Sequence, residues 1–235
     1  AFGRSAAILL GDLLVAWSDD LLEDGLRAAP HAAAARSVYA LMRREVTVGQ
    51  FLDIAEEAAF ITAPDTDHAE RALRVASLKS ARYSIEHPLL LGGALAGASA
   101  AQSAALSAFG HPLGLAFQLR DDVLGVFGDS AVTGKPSGDD LREGKRTVLI
   151  AYTREALDPV ARRMFDALVG DPTLDAAQVA AAQETIAASG ALTRVEGLID
   201  AYTQEADQAL RGAPLAAGAV EELRALARDA TARAS

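Results

Sequence analysis

Phe117-Gln118-Leu119-Arg120-Asp121-Asp122 lies in an apolar run where Leu113, Ala116, Phe117, Leu124 and Phe127 recur at helical spacing, and it sets two adjacent carboxylates into that run. Positions three and four apart share a helix face, so Gln118 lies beside Asp121 and Asp122, with Phe117 one turn before Asp121. Neighbouring carboxylates repel each other. Both stay ionised at neutral pH only where water or a cation compensates them, and hard oxygens in this arrangement suit Mg²⁺. The face is therefore expected to be wet or metal-bound.

Beyond this helix, the Gly/Pro/Ser-rich segment from Gly134 to Gly138 cannot continue it and reads as a loop, which brings Lys135, Asp140 and Lys145 at intervals of five. The chain contains three lysines, Lys79, Lys135 and Lys145, while every other cation is an arginine. A compact ammonium on a flexible stem suits phosphate oxygens. Two of the three lysines arrive beside the acidic pair, which favours phosphate contacts over ordinary solvated charge.

The ordered set Phe117, Gln118, Asp121, Asp122, Lys135, Asp140 and Lys145 resembles the second aspartate-rich region of the trans-polyprenyl diphosphate synthases. That resemblance implies an all-α, isoprenoid synthase-type helical bundle around a deep central cavity, formed by residues 1–235 as a single domain. It implies a prenyltransferase that condenses isopentenyl diphosphate with an allylic diphosphate to a product of farnesyl to geranylgeranyl length. Asp121, Asp122 and Lys79 would be catalytic, and Asp121, Asp122 and Asp140 would hold Mg²⁺. Lys79, Ser80, Gln118, Lys135 and Lys145 would contact the allylic diphosphate. Gln50, Asp53 and Phe117 would face the cavity. The family expectation is three Mg²⁺ ions; its third aspartate falls on Gly125 here, which leaves the number open between three and fewer.

The first aspartate-rich motif and the isopentenyl diphosphate site of such enzymes would precede Ala1, so this chain alone is expected to be inactive. Two alternatives are a non-catalytic partner subunit of a heteromeric synthase and a type I terpene cyclase. Retention of all three lysines speaks against the first, and the loop from Lys135 to Lys145 against the second.

Composition agrees with a helical enzyme. Of 235 residues, 51% are hydrophobic and 5% aromatic, with abundant Ala and Leu, which favours helix. A net charge of −10 argues against nucleic-acid and anionic-membrane surfaces. The absence of cysteine excludes disulfides and thiolate sites. No apolar run reaches membrane-spanning length and no signal pattern appears, so a cytoplasmic protein is expected; the family resemblance implies a homodimer.

In chain order, Phe2 to Leu26 reads as a helix with Gly11-Asp12 inside it. Asp19-Asp20-Leu21-Leu22-Glu23 imitates an Asp-rich motif but stands after the Gly-Asp helix signature and lacks a following arginine pair; it reads as a solvated helix end. Arg43 to Ile61 carries Glu45, Gly49, Gln50 and Asp53. His68 to Ile85 carries Lys79 and Ser80, where by resemblance the hydroxyl loosens the helix beside the lysine. Leu89 to Ala108 reads as a small-residue helix, with Gly110 to Gly114 leading into the central one. His31, His68, His87 and His111 lack metal-spaced partners. Amphipathic helices continue from Thr147, broken near Pro159, Pro172, Gly190 and Pro214.

Overall fold

The computed structural model describes residues 2–59, 67–129, 134 and 136–231, and among these all regular structure is helical. The helices are α1 (Phe2–Leu26), α2 (Ala32–Ala59), α3 (His68–Ala76), α4 (His87–Leu95), α5 (Ala100–Phe127), α6 (Asp139–Glu143), α7 (Val148–Ala156), α8 (Pro159–Asp166), α9 (Ala176–Ala188), α10 (Ala191–Ala209) and α11 (Ala217–Thr231). A π-helical segment, Ser77–Glu86, joins α3 to α4 without interruption. The all-α expectation holds.

α5 is the spine. Its Leu119, Val123 and Val126, spaced to share a face, enter a core with Leu149 and Ile150 of α7, Ile186 of α9, and Val195 and Ile199 of α10. Arg120 forks onto Glu196 of α10 at 2.6 and 2.7 Å. Lower on α5, Phe109 and Leu113 pack with Ala206 and Leu210 in a second cluster. The remaining face of α5, with Gln118, Asp121 and Asp122, turns toward the π segment and a cavity.

One boundary differs from the expectation. The small-residue helix stops at Leu95, not Ala108, and a new helix runs from Ala100 straight through Gly110, Pro112 and Gly114 to Phe127. Ser99 and Gln102 form a reciprocal capping box that starts α5. Proline inside a helix removes one backbone bond and locally argues for a break. Complete burial of Phe109 and Leu113 on either side of Pro112 overrides that preference.

α1 stands apart from this core. Of its residues only Leu26 is buried, while Phe2, Leu9, Trp17 and Leu21 are all more than half exposed. Side-chain bonds tie it to α2: Arg36 forks onto Glu23, and Arg43 and Tyr39 reach Asp19. Among the described residues, no helix is long and apolar enough to cross a membrane.

Candidate active site

A cavity of about 240 Å³ opens where α2, α3, the π segment, α5 and the loop before α7 converge. Asp53, Lys79, Ser80, Gln118, Asp121, Asp122, Lys145, Arg146 and Thr147 supply its polar wall, and Ala72, Val75 and Ala76 its apolar one. Three separate segments, the π segment, α5 and the loop before α7, thus bring both described lysines and the acidic pair to one place.

The two aspartates differ because the helix turns about 100° between them. Asp121 is exposed, whereas Asp122 is buried and accepts a hydrogen bond from Gln118 Nε2 at 2.7 Å. Burial pushes the Asp122 carboxyl up to about 7, against the pull of Gln118 and with the repulsion of Asp140 and Asp121 added. A cation at this wall would reverse that shift.

Each of the two described lysines is presented with a carboxylate on its ammonium. Lys79 Nζ reaches Asp53 Oδ2 at 2.5 Å. Lys145 pairs with Asp140 and lies 3.3 Å from Glu143. Burial would lower the Lys145 pKa, but the hydrogen bond and charge of Asp140, joined by Glu143, outweigh it and keep the ammonium protonated. Left-handed Gly138 and Gly144 bracket the single turn α6 and allow it to face Asp140 inward. Thr147 then caps α7, its hydroxyl accepting from the Ile150 amide at 3.4 Å.

Asp140 itself does not line the cavity. Its carboxylate is buried over Gly125, filling the space that a side chain there would take. The place left open by glycine at position 125 is therefore occupied by Asp140, which holds Lys145. Gln50 is exposed and outside the cavity wall, and half-buried Phe117 is outside it as well. Lys135 lies outside the described residues. Arg146 and Thr147 are wall residues that no motif singles out; their position directly after Lys145 is the available signal.

Among the described residues, no three His, Asp or Glu side chains come together as a ready metal cage. That suits Mg²⁺, which is usually bound by one or two carboxylates completed by substrate phosphates and water. Asp121 and Asp122 beside two ammonium groups fit a cation arriving with a polyphosphate. Elsewhere, the imitating Asp19 and Glu23 face Arg43 and Arg36 on the far part of α2 and contribute nothing to this cavity.

Residues 1–186 match the family model described as Polyprenyl synthetase. A crystal structure of geranylgeranyl pyrophosphate synthase from Corynebacterium glutamicum, complexed with isoprenyl diphosphate and magnesium, is similar with a TM-score of 0.90 and 42% identity. The similarity covers 99% of this chain and 64% of that one. The geranylfarnesyl diphosphate synthase of Aeropyrum pernix is 33% identical over 225 residues, 94% of this chain and 68% of that protein. The (2E,6E)-farnesyl diphosphate synthase of Mycobacterium tuberculosis is 33% identical over 192 residues, 80% of this chain and 51% of that protein. The chain therefore spans roughly half to two thirds of the length of these relatives.

Proposed function

Because the chain belongs to the polyprenyl synthetase family, we propose that its cavity binds an allylic diphosphate and that the whole protein condenses it with isopentenyl diphosphate. The observation that carries this reading is the convergence of Lys79, Lys145, Asp121 and Asp122 on one wall from separate segments. Lys79 and Lys145 exchange their carboxylate partners for phosphate oxygens and hold the diphosphate with its prenyl carbon aimed inward. Ser80 and Gln118 add hydrogen bonds, and Lys135 is proposed as a further diphosphate contact. Asp121 and Asp122 would hold Mg²⁺, which when bound neutralises charge on the departing diphosphate.

The carbon–oxygen bond breaks with its electron pair leaving on the diphosphate. The double bond of isopentenyl diphosphate then attacks the allylic cation, and the resulting cation gives up a proton to the released diphosphate, restoring a double bond. Ammonium groups fixed before the reaction favour the charge that develops on the leaving group, at no cost of reorganisation. Ala72, Val75 and Ala76 keep the adjoining wall dry. The exposed apolar surface of α1 supports assembly with a second copy of the chain; sedimentation of the full-length protein as a monomer would rule that out.

Incubation of full-length protein with labelled isopentenyl diphosphate, allylic diphosphates and Mg²⁺ tests the activity. Products of farnesyl to geranylgeranyl length are expected. Unextended substrate at every allylic length tried sinks the proposal.

A further inference from the structure

Glu45, Gly49 and Asp53 stand one turn apart on α2, and Gly110, Gly114, Gln118 and Asp122 one turn apart on α5. The π segment runs between these two stripes. A Cβ at Gly49 would overlap the backbone of Leu78 and Lys79, one at Gly114 that of Ala81, and one at Gly110 that of Glu86. Both helices therefore meet the segment backbone to backbone. Each stripe then continues into the cavity, through Asp53 on one side and through Gln118 and Asp122 on the other.

Close approach fixes distance but not rotation, and a ten-residue π run needs help to keep its register. π geometry is rare and mostly confined to single turns. Glu45 supplies the missing constraint. Arg82 Nη1 donates to its two carboxylate oxygens at 2.9 and 3.1 Å, and His87 Nε2 donates to Oε2 at 2.8 Å. Arg82 and His87 are five residues apart, and the His87 amide bonds to the Arg82 carbonyl, the hydrogen bond of a π turn. On an α-helix, residues five apart point about 140° away from each other. One carboxylate clasping both is thus matched to the π register.

The segment is pinned at its two ends from α5. Ser77, its first residue, lies 2.8 Å from His111 Nε2, and Glu86, its last, accepts from Ser107 Oγ at 2.6 Å. These contacts hold the two ends from α5, and the Glu45 clasp sets the last turn, from Arg82 to His87, from the α2 side. Burial alone would raise the Glu45 carboxyl, but the bonds from His87 and Arg82 hold it below the ordinary glutamate value. The clasp is therefore charged at neutral pH.

We infer that Glu45, remote from the cavity, is a positioning residue. By clasping Arg82 and His87 across the π turn it keeps Ser77–Glu86 in register and so holds Lys79 and Ser80 at the cavity. The consequence for ligand binding rests on the diphosphate reading above; the consequence for register does not.

Full-length wild type, Glu45→Ala and Glu45→Gln are compared by amide hydrogen exchange across 68–95 and by titration with inorganic diphosphate and Mg²⁺. Glu45→Ala should speed exchange mainly within 77–87 and weaken diphosphate binding roughly tenfold, the scale of losing an outer-shell contact. Glu45→Gln, which keeps an acceptor for Arg82, should fall between the two, and it decides the matter if Glu45→Ala does not fold. Unchanged exchange in 77–87, or acceleration spread evenly over α3 and α4, overturns the inference. So does binding within about twofold of wild type. If wild type binds no diphosphate while Glu45→Ala still loosens 77–87, the register role stands and the functional reading fails.

Discussion

Asp19-Asp20 on α1 and Asp121-Asp122 on α5 are the same dipeptide inside apolar helices, yet they meet opposite surroundings. Asp19 is matched by protein cations and donors: Arg43 Nη1 at 2.5 Å and Tyr39 Oη at 2.9 Å, on an open surface. Asp122 is buried, bonded to the neutral amide of Gln118, and crowded by Asp121 and Asp140. In the first pair Asp19 has its compensating charge built in and works as a strut between helices. The second leaves its charge to be compensated by something that arrives. The side chains facing a carboxylate pair across the fold decide its role more than its neighbours in sequence do.

The widest gap between the two pairs should appear in turnover. In the full-length protein, Asp121→Ala is expected to lower kcat by on the order of 10²–10³, the usual loss on removing an electrostatic contact to developing charge. Asp19→Ala should leave kcat near wild type. Equal losses in steady-state assays with labelled isopentenyl diphosphate would erase the distinction between strut and site.

Lys79 sharpens the comparison from the cation side. Its ammonium sits on Asp53, an exchangeable partner at the cavity, whereas Arg43 and Arg36 are committed to α1. Lys79→Ala should weaken inorganic diphosphate binding roughly 10- to 100-fold, the worth of one charge-assisted bond. Lys79→Arg should not restore it, since a planar guanidinium does not replace a compact ammonium. Calorimetric titration reads both; full rescue by arginine would show that charge alone is recognised.

Much of this was legible in the sequence because the signals were local. Gln118, Asp121 and Asp122 share a face by helical spacing alone, and the scarcity of lysine drew attention to Lys79 and Lys145. What escaped was tertiary. The role of Asp140 depends on its carboxylate lying over Gly125, fifteen positions away, and no spacing rule relates a loop residue to a helix one. The clasp of Glu45 on Arg82 and His87 was equally hidden, because five-residue spacing carries no meaning until the helix is known to be π. Pro112 misled for the complementary reason: its local preference is real, but buried neighbours decide the outcome.

Asp122 also makes the buried site respond to pH. The folded-state pKa of Asp122, about 7, lies above its ordinary value of 3.8. The native state therefore holds this proton more tightly than the unfolded chain. The stabilisation it contributes is complete below about pH 4 and is lost as pH rises through about 7. Asp122→Asn mimics the neutral form, so its stability relative to wild type should grow between those limits, with a slope of at most about 1.4 kcal/mol per pH unit. Urea denaturation of both proteins across that range checks the sign. A constant difference would mean that Asp122 is charged throughout.

Gly125 offers a smaller effect with an inverted sign. Glycine to alanine inside a helix ordinarily gains up to about 1 kcal/mol. At Gly125 the new methyl would overlap the buried Asp140 carboxylate and disturb its pair with Lys145. Overpacking of that kind costs about 1–3 kcal/mol, so Gly125→Ala should lower Tm. Gly92→Ala on α4, where nothing lies within 4 Å of the added carbon, should raise it or leave it unchanged. Two increases in thermal melts would show that Asp140 can vacate the space freely.

The smallest expected change belongs to the strut itself. Asp19→Asn keeps the shape and one acceptor for Tyr39 and Arg43 but removes the charge. The pair is about half exposed on the aspartate side, at 53%, and 30% exposed on the arginine side. Solvent screening at such a site limits an ion pair to about 0–1 kcal/mol. For a chain of this size that corresponds to a Tm change of no more than about 4 °C. The difference should shrink further as salt shortens the reach of surface charge to about 3 Å at 1 M. Melting curves at low and high salt measure it directly. A drop well beyond that range, persisting in salt, would mean that Asp19 is shielded from solvent in the folded protein, as it would be if a second copy packed over α1.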